Sequence, residues 1–295
     1  MASQARTNRK VSIIGLGWLG LPLAEHYLLS GYRVLGTTRS RDKCATLQKR
    51  GLEAYQFDIY NAHLKQQLPR SFFEQSTLVI NIAIGRRDID AEQYIKRITN
   101  LIDLAFERNA EQLIFVSTTS VFSQTSHIYP IQLDEDSPTD PASNSGKAHA
   151  SIERYLLHRY ADKSAILRLA GLIGPSSAGG ASFRHPIYVL SQREQINGGN
   201  EAVNLVHQAD ALSFIKAIIN QQATGRVFHA CATEHPSRID CYTHAADVLK
   251  LPRPKFTDKS GTLCGKVIDG QKSLNSLSLS LAYPSPYDML RSPFD

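Results

Sequence analysis

The chain has 295 residues, of which 42% are hydrophobic and 20% charged, a composition typical of a folded globular protein rather than a disordered one. Its 33 Lys and Arg residues outnumber its 27 Asp and Glu residues, which gives a net charge of +6, but the basic residues form only small scattered clusters. Such clusters are typical of a solvated surface, so we expect no nucleic-acid partner.

Two further observations concern membranes and the cellular compartment. No apolar run is long enough to cross a membrane, and the polar segment Met1–Lys10 lacks the apolar core of a signal peptide. The four cysteines form no C-x-x-C pair, and none lies near a second Cys or a His at the spacing of a zinc site. We therefore expect free thiols, a cytoplasmic location, no membrane partner and no metal site.

Short apolar runs alternate with longer amphipathic stretches through the first half of the chain. Leu78–Ile84 is apolar without alternation, which is typical of a strand buried on both faces. The predicted elements in chain order are strand Val11–Ile14, helix Leu19–Ser30, strand Arg33–Thr37, helix Ala45–Gly51, strand Ala54–Asp58, strand Leu78–Ile84, helix Ala91–Arg108, strand Leu113–Ser117, helix Lys147–Tyr160 and strand Ser164–Leu169. This order predicts an α/β fold with a Rossmann-type, doubly wound parallel sheet covered by helices on both faces.

The alternation weakens after Gly171. The elements predicted there are helix Asp210–Asn220, strand Arg226–Ala230 and helix Tyr242–Leu249, whereas Leu274–Leu281 fits no element firmly. A stretch rich in Gly, Pro and Ser, Gly174–Gly180, indicates a boundary. We predict a nucleotide-binding domain over residues 1–175, with a segment near 203–230 returning to it, and a smaller C-terminal α/β lobe on the substrate side over residues 176–295.

The residues Gly15, Gly17 and Gly20 form a G-x-G-x-x-G turn between the first strand and the first helix. In this context the first glycine permits a tight turn, the second lets the backbone approach a diphosphate, and the third lets the helix pack closely on the strand. The start of the helix would then face the phosphates with its free N–H groups. The alternative is a purely structural glycine loop. We predict that the turn, including Trp18 and Leu19, binds a dinucleotide.

The end of the second strand indicates which dinucleotide. An acidic residue about 20 positions after the turn would hold the ribose 2′-OH of NAD, but this chain has no carboxylate there before Asp42. Arg39 is instead placed to meet the 2′-phosphate of NADP, and Thr38 and Ser40 can donate hydroxyl hydrogen bonds. NADP is therefore favoured over NAD. In the alternative, Arg39 only covers the sheet edge or stacks on adenine.

Two further positions complete the predicted cofactor site. Asp58 ends the third strand and is expected beside the adenine, and Ala83 lies at the end of the fourth strand, at the rim of the cofactor cleft. Arg86 and Arg87, which follow it, could contact an anionic substrate or the cofactor phosphates, or form a surface pair. We expect a small-molecule substrate, with an anionic group as one option. Monomer and homodimer both stay open.

Four later segments, together with the glycine turn, resemble the extended short-chain dehydrogenase/reductase superfamily, which includes nucleotide-sugar epimerases and dehydratases. These segments are Phe115–Phe122, Asp134–Pro141, Leu167–Pro175 and Asn204–His207 with Asp210 and Ala211. The resemblance implies a Rossmann cofactor domain with a small substrate lobe, and it implies that Thr118 is the catalytic hydroxyl that polarises the substrate oxygen.

A narrower resemblance points to the YeeZ-like branch of atypical members of this NAD-dependent epimerase/dehydratase superfamily. The matching segments are the glycine turn, Asn144–Gly146, Asn204–His207 and Gly265–Gly270. Of the remaining polar residues, Arg184 or His185 could bind a phosphate or carboxylate or belong to an ordinary loop. His207 and Asp210 are expected to be structural and to tie the lobes together.

The chain departs from the superfamily at the active helix, which carries Tyr-x-x-x-Lys. There the Tyr acts as acid or base, and the Lys lowers its pKa and holds the nicotinamide ribose. In this sequence Ser145 and His149 stand at those positions, four residues apart on one helix face. A Ser hydroxyl is a far poorer proton donor than a phenol, whose pKa is about 10, whereas an imidazole can act as acid or base.

Three interpretations stay open. In the first, redox chemistry persists with His149, Thr118 or a nearby tyrosine, Tyr129 or Tyr155, as proton donor. In the second, the site binds NADP without turnover, and the protein is a non-catalytic sensor or regulatory protein. In the third, Ser145 and His149 are ordinary helix residues and the substrate supplies the missing group. The resemblance favours an NAD(P)-dependent oxidoreductase or epimerase-like enzyme acting on a sugar-nucleotide-like or small carbonyl substrate.

Overall fold

A computed structural model describes residues 9–61, 63–82, 84, 90–123, 129–176, 183–258 and 261–290. The chain forms two compact units that interleave along the sequence. One unit comprises Met1–Ser117, Ser143–Leu167 and Ile218–Val227, and the other comprises Thr118–Ala142, Arg168–Ala217 and Phe228–Asp295. The chain leaves the first unit after Ser117 and returns to it twice, at Ser143 and at Ile218. The nucleotide-binding domain over residues 1–175, with a segment near 203–230 returning to it, stays a prediction.

Strands and helices alternate in the part of the chain that the structure describes. The strands are β1 (Lys10–Ile14), β2 (Arg33–Thr38), β3 (Glu53–Gln56), β4 (Thr77–Ile80), β5 (Gln112–Thr118), β6 (Pro130–Leu133), β7 (Ser164–Leu169), β8 (Gly171–Pro175), β9 (Phe183–Arg184), β10 (Leu205–His207), β11 (Arg226–Ala230) and β12 (Gly265–Ile268). The helices are α1 (Gly20–Leu29), α2 (Arg41–Lys49), α3 (Leu64–Gln67), α4 (Ala91–Glu107), α5 (Asn144–Arg159), α6 (Ile187–Leu190), α7 (Gln208–Asn220), α8 (Arg238–Val248) and α9 (Gln271–Leu277).

A seven-stranded sheet has the strand order β11-β7-β5-β4-β1-β2-β3. β1 pairs in parallel with both β2 and β4, and the pairs β2–β3 and β4–β5 are also parallel. The strand order reverses direction between β1 and β4, where Ile14 lies opposite Ile80. The predicted Rossmann-type α/β fold is confirmed, and its topological switch point lies beside the glycine turn, where ligands bind in such sheets.

Burial on both faces explains the unbroken apolar runs of the sheet. Leu78, Val79 and Ile80 are all fully buried, because helices cover the sheet on each side. On α4 the buried residues recur at helical spacing, from Tyr94 through Ile98 and Leu101 to Ala105. These side chains join one apolar cluster with residues of β1, β4 and β5.

Capping side chains explain why two helices begin earlier in the chain than predicted. The Ser40 hydroxyl accepts the Lys43 N–H at 3.2 Å, so α2 begins at Arg41 rather than at Ala45. The Ser143 hydroxyl accepts the Gly146 N–H at 3.0 Å, so α5 begins at Asn144 rather than at Lys147. Each serine satisfies an N–H group that would otherwise lack a partner in the first helical turn.

The second unit holds two small sheets that the sequence did not predict. β8 lies between β10 and β9, and β12 pairs in parallel with β6. These strands have two to five residues each, too few for periodicity to reveal them. The segment Leu274–Leu281, which the sequence left unassigned, begins with the last residues of α9. Among the described helices, none is sufficiently long and apolar to span a membrane.

Candidate functional site

Two glycines of the G-x-G-x-x-G turn are required by close packing of the backbone. Gly15 has φ +108°, and a Cβ atom there would lie 2.4 Å from the carbonyl oxygen of Asn81, which follows β4. A Cβ at Gly20 would lie 2.1 Å from the carbonyl oxygen of Gly15. Any side chain at either position would push the turn away from β4 or separate α1 from β1.

The middle glycine of the turn has a different environment. A Cβ atom at Gly17 would meet nothing within 4 Å, so the protein itself does not require glycine there. Helix α1 begins directly after the turn with no side-chain cap and no acidic residue in its first turn. Open space beside the backbone, together with uncapped N–H groups at a helix start, fits a bound diphosphate.

The turn is fixed to β2 by residues that the sequence analysis did not single out. The Gly15 N–H donates to the Thr37 hydroxyl at 3.0 Å, and the Leu16 N–H donates to the Thr37 carbonyl at 2.7 Å. A Cβ at Gly36 would lie 2.5 Å from the Leu16 side chain, which packs over it. A glycine inside a buried strand is the signal that could have revealed this close approach.

The predicted adenosine-side residues lie at the ends of β2 and β3. Thr38 is half-buried, while Arg39 and Asp58 are exposed. The Asp58 carboxylate accepts the Tyr60 N–H at 3.0 Å. Burial raises the pKa of Tyr60, the Asp58 charge raises it further, and the Arg39 charge opposes both. Arg39, Asp58 and Tyr60 therefore share one surface, and Tyr60 is a half-exposed aromatic ring that the sequence analysis missed.

The other predicted cofactor residues can be placed only in part. Ser40 is exposed and caps α2, which uses its oxygen as an acceptor and leaves its hydroxyl hydrogen for a ligand. Ala83 lies outside the described residues, as do Arg86 and Arg87. Asn81 directly follows β4 at this rim, and its carbonyl oxygen lies close to Gly15 of the turn. The cofactor roles of these residues stay predictions.

The structure buries His149. Its side chain packs near the rings of Tyr94 and Phe115 and is 5% exposed, and its Nδ1 lies 2.8 Å from the Ser145 carbonyl oxygen. Burial lowers the pKa of His149, although the Ser145 carbonyl and the Glu153 charge oppose this shift. A neutral imidazole whose Nδ1–H binds the helix backbone is favoured, and this environment suits a packed residue better than a proton donor.

A buried pair lies one helical turn after His149. The Ser117 hydroxyl donates to a Glu153 carboxylate oxygen at 2.5 Å, and both side chains are almost fully buried. This hydrogen bond joins α5 to the end of β5, one residue before Thr118. The sequence analysis did not single out this pair, because its two members are 36 residues apart and no local pattern links them.

The two tyrosines considered as alternative proton donors lie in different surroundings. Tyr129 is 70% exposed at the start of β6. The Tyr155 hydroxyl donates to Asp103 at 2.5 Å, and its pKa is raised to about 12 by burial and by that carboxylate. A phenol that already donates to a carboxylate, and holds its proton this tightly, is poorly suited to proton transfer near neutral pH.

Thr118 ends β5 and leads into a short 3₁₀ helix, Thr119–Val121. Its half-buried hydroxyl accepts the Ser120 N–H at 3.1 Å and lies 3.1 Å from the Ser120 hydroxyl. The Lys266 ammonium donates to the carbonyls of Thr119 and Phe122 at 3.1 and 2.9 Å, so it joins both ends of this helix. Burial lowers the pKa of Lys266. The turn that carries Thr118 is thus held by a lysine from β12.

Asn204 connects two segments on which the narrower resemblance rests. Its side-chain amide donates to the Lys266 carbonyl at 2.8 Å and accepts the Ile268 N–H at 2.8 Å. The amide therefore pairs with the β12 backbone as a neighbouring strand would. The motifs Asn204–His207 and Gly265–Gly270 are parts of one hydrogen-bonded arrangement within the second unit.

His207 and Asp210 hold the C-terminal segment. The Asp210 carboxylate accepts the N–H groups of Ala282 and Tyr283 at 2.8 and 3.0 Å, and the His207 ring lies 3.8 Å from the Tyr283 ring. All four residues belong to the second unit. These contacts hold the C-terminal segment to its own unit, and the expectation that His207 and Asp210 tie the lobes together stays a prediction.

The buried imidazoles of this unit should make the protein sensitive to acid. Burial lowers the pKa of His207 from 6.5 to about 4, so the unfolded chain binds a proton that the folded chain does not. The free energy of unfolding should therefore fall as the pH drops from 6.5 to 4. The test variant is His207→Asn, because its side-chain oxygen can still accept the Ala209 N–H, which His207 Nδ1 accepts at 3.2 Å in the wild type.

Urea denaturation of wild type and His207→Asn across this pH range measures the effect. Between pH 4 and pH 6.5, the free energy of unfolding should change with pH less steeply in the variant than in the wild type. The difference in slope should be about 1.4 kcal/mol per pH unit, the contribution of one proton. Identical pH dependences would show that folding does not lower the pKa of His207. His185 should add a second contribution of the same sign, since burial also lowers its pKa to about 4.

Metal chemistry finds no support in the residues that are described. No group of three or more His, Cys, Asp or Glu side chains there could hold a metal ion. The four cysteines are free, and Cys44, Cys231 and Cys241 are buried.

Comparisons with known proteins agree with this geometry. Residues 11–231 match the model of the family described as NAD dependent epimerase/dehydratase family. The chain is 30% identical over 290 residues to Protein YeeZ of Escherichia coli (strain K12), an alignment that covers 95% of this chain and 98% of that protein.

Solved structures share the fold at lower identity. UDP-glucuronic acid 4-epimerase from Bacillus cereus, in complex with NAD, has a TM-score of 0.73 and 20% identity, and the match covers 95% of this chain and 94% of that chain. dTDP-glucose 4,6-dehydratase from Bacillus anthracis str. Ames, in complex with NAD, has a TM-score of 0.74 and 15% identity, covering 96% and 95%.

Proposed function

The chain belongs to the NAD dependent epimerase/dehydratase family, and from this premise we propose that it is an NAD(P)-dependent oxidoreductase or epimerase-like enzyme. Its proposed substrate is a small molecule, either a sugar nucleotide or a small carbonyl compound with an anionic group. The observation that carries the proposal is the glycine turn. Gly15 and Gly20 are required by the fold, whereas the open space at Gly17 suits a bound diphosphate.

The preference for NADP is also part of the proposal. Related structures such as the Bacillus cereus epimerase contain NAD. In this chain, however, an exposed Arg39 follows β2, and the first carboxylate after it is Asp42, inside α2. A guanidinium can donate two parallel hydrogen bonds to a 2′-phosphate. The strand end offers no acidic residue that could accept a hydrogen bond from a ribose 2′-OH.

When bound, the nicotinamide would supply hydride transfer to or from its C4 atom. The chain's own contribution begins with Thr118, whose hydroxyl we propose polarises the substrate oxygen. Ser145 and His149 occupy the positions of the superfamily's Tyr and Lys. Because His149 Nδ1 is bound to the Ser145 carbonyl, we propose that His149 positions Ser145 and that the Ser145 hydroxyl contacts the substrate.

A second candidate function is a non-catalytic NADP-binding sensor. The burial of His149 among aromatic rings favours it, because the helix then offers a serine hydroxyl where a relative would offer an acidified phenol. Both candidates use the same cofactor turn, so cofactor binding alone does not separate them.

Hydride transfer separates the two candidates. The protein is incubated with NADPH deuterated at C4 and a panel of nucleotide sugars and small carbonyl compounds, and products are analysed by mass spectrometry. A reductase should place deuterium in at least one product, whereas an epimerase-like enzyme, which takes hydride from its substrate and returns it, should convert a nucleotide sugar in the presence of NADP⁺ without net transfer of label. Binding of NADPH with neither label nor conversion of any compound in a broad panel would favour the sensor.

For a labelled product, Thr118→Val provides the matched test of the proposed catalytic hydroxyl. Valine keeps the shape of threonine but cannot donate a hydrogen bond, so the transfer rate should fall about 100-fold while the Kd of NADPH stays unchanged. Single-turnover measurements give the rate, and a titration gives the Kd. An unchanged transfer rate would exclude the proposed role of Thr118.

A further inference from the structure

Lys266 of β12 is a half-buried cation in contact with the turn after Thr118. Its Nζ atom donates to the carbonyl oxygens of Thr119 and Phe122 at 3.1 and 2.9 Å, although these residues lie 147 and 144 positions before it. The two carbonyls belong to the first residue of the 3₁₀ helix Thr119–Val121 and to the residue that follows it. One ammonium therefore bridges both ends of this helix through charge-assisted hydrogen bonds, which are stronger than neutral ones.

The same 3₁₀ helix sets the direction of the Thr118 hydroxyl. The Thr118 Oγ1 atom caps the helix by accepting the Ser120 N–H at 3.1 Å, and it lies 3.1 Å from the Ser120 hydroxyl. The Phe122 N–H donates to the Thr119 carbonyl at 3.2 Å, and the same oxygen accepts Lys266. A shift of the helix would move the Ser120 N–H and, with it, the hydroxyl that we propose polarises the substrate oxygen.

The backbone that carries Lys266 is itself fixed within the second unit. β12 begins at Gly265, whose φ of +81° is a left-handed conformation that favours glycine. Lys266 lies opposite Ile131 of β6, and its carbonyl oxygen accepts the Asn204 amide at 2.8 Å. The two motifs of the second unit that carry the narrower resemblance thus hold one lysine against the turn.

Stability of the unit alone does not require a cation at this position. Burial lowers the pKa of Lys266 because removal of an ammonium from water disfavours its charge, whereas the charges of Asp140 and Glu201 oppose this shift. A neutral amide can satisfy backbone groups without that penalty, as Asn204 does for β12. A half-buried charge with a perturbed pKa is found more often at functional sites than elsewhere.

We propose that Lys266 is a positioning residue for the reaction, whose ammonium fixes the 3₁₀ helix so that the Thr118 hydroxyl meets the substrate oxygen. The proposal rests on the proposed function, in which Thr118 polarises that oxygen. Lys266 acts only through Thr118 and does not itself touch the substrate. Since catalysis by an oriented hydrogen bond requires close alignment, a displacement of about 1 Å is enough to lower the rate by up to about 100-fold.

A double-mutant cycle tests whether Lys266 acts through Thr118. Wild type, Lys266→Met, Thr118→Val and the double variant, all full-length, are compared by the single-turnover rate with one compound that the wild type converts, a nucleotide sugar or a small carbonyl compound of the panel. We expect Lys266→Met to lower the rate about 30-fold, while the KM of the compound and the Kd of NADPH change less than about twofold. In the Thr118→Val background the same substitution should lower the rate less than about threefold, because no hydroxyl is left to position.

Two further variants separate positioning from general damage to the unit. Lys255→Met replaces an exposed lysine of the second unit and should keep the wild-type rate. In Lys266→Ala, added n-propylammonium matches the lost atoms from Cγ to Nζ and should raise the rate about 10-fold, whereas uncharged n-propanol should not. Urea denaturation establishes that each variant is folded under the conditions of the assay.

The outcomes distinguish this inference from the function on which it rests. In a wild type that converts a compound, an unchanged rate in Lys266→Met would overturn the role of Lys266 and leave that of Thr118 in place. An equal loss in the wild-type and Thr118→Val backgrounds would also overturn it, because the lysine would then act on the whole unit. A wild type that converts no compound of the panel would overturn the proposed enzymatic function and this inference together.

Discussion

Gly17→Val should fold as the wild type does and yet bind both NADPH and NADH about 100-fold more weakly. A Cβ atom at Gly17 meets nothing within 4 Å of the protein, so the substitution costs the fold little. The same branched side chain would occupy the space through which a diphosphate approaches the backbone of the turn. Calorimetric titration measures the affinities, and thermal denaturation should show a melting temperature within about 2 °C of the wild type.

Gly20→Val is the contrasting variant in the same turn. Its Cβ would lie 2.1 Å from the Gly15 carbonyl oxygen, so this substitution should destabilise the first unit itself. The pair separates a glycine required by a ligand from one required by packing. An unchanged nucleotide affinity in Gly17→Val would show that the turn holds no diphosphate.

Asn204→Ala should lower the free energy of unfolding by about 4 kcal/mol, because it removes two hydrogen bonds to the β12 backbone and leaves both backbone groups without their partner. These groups are the Lys266 carbonyl and the Ile268 N–H, each 2.8 Å from the Asn204 amide. Urea denaturation measures the loss, and the m-value, the slope of the free energy of unfolding against urea concentration, should stay unchanged.

The control for this variant is Asn275→Ala. Asn275 is exposed on α9, where its side chain only accepts a hydrogen bond from Gln271 at 2.9 Å. It should therefore change the free energy of unfolding by less than about 0.5 kcal/mol. Similar losses in the two variants would mean that the Asn204 amide does not hold β12 in place.

Local patterns were sufficient to predict the parts of the fold and site that depend on neighbours in sequence. The three glycines of the turn could be interpreted because each has a role set by the adjoining strand and helix. The boundaries of α2 and α5 were wrong by several residues because the caps Ser40 and Ser143 were not recognised as capping signals. Their hydroxyls accept N–H groups three residues ahead, a pattern that was present in the sequence.

Contacts between distant residues could not be predicted. Lys43 looked like part of a surface cluster until the fold placed its ammonium on the Leu16 carbonyl. Lys266 reaches the turn after Thr118 across 147 positions. Helical spacing put His149 four residues after Ser145, but spacing does not reveal that Tyr94 and Phe115 surround the ring. Burial depends on which elements pack against the helix, and this is decided by the whole fold.

The proposed function depends on nucleotide binding, and one measurement tests it most directly. Wild-type protein is titrated with NADPH and with NADH under the same conditions. We predict saturable binding of both, with NADPH bound about 10-fold more tightly or better, because the 2′-phosphate meets the exposed Arg39 guanidinium. Absence of binding to either nucleotide, or tighter binding of NADH, would contradict the account.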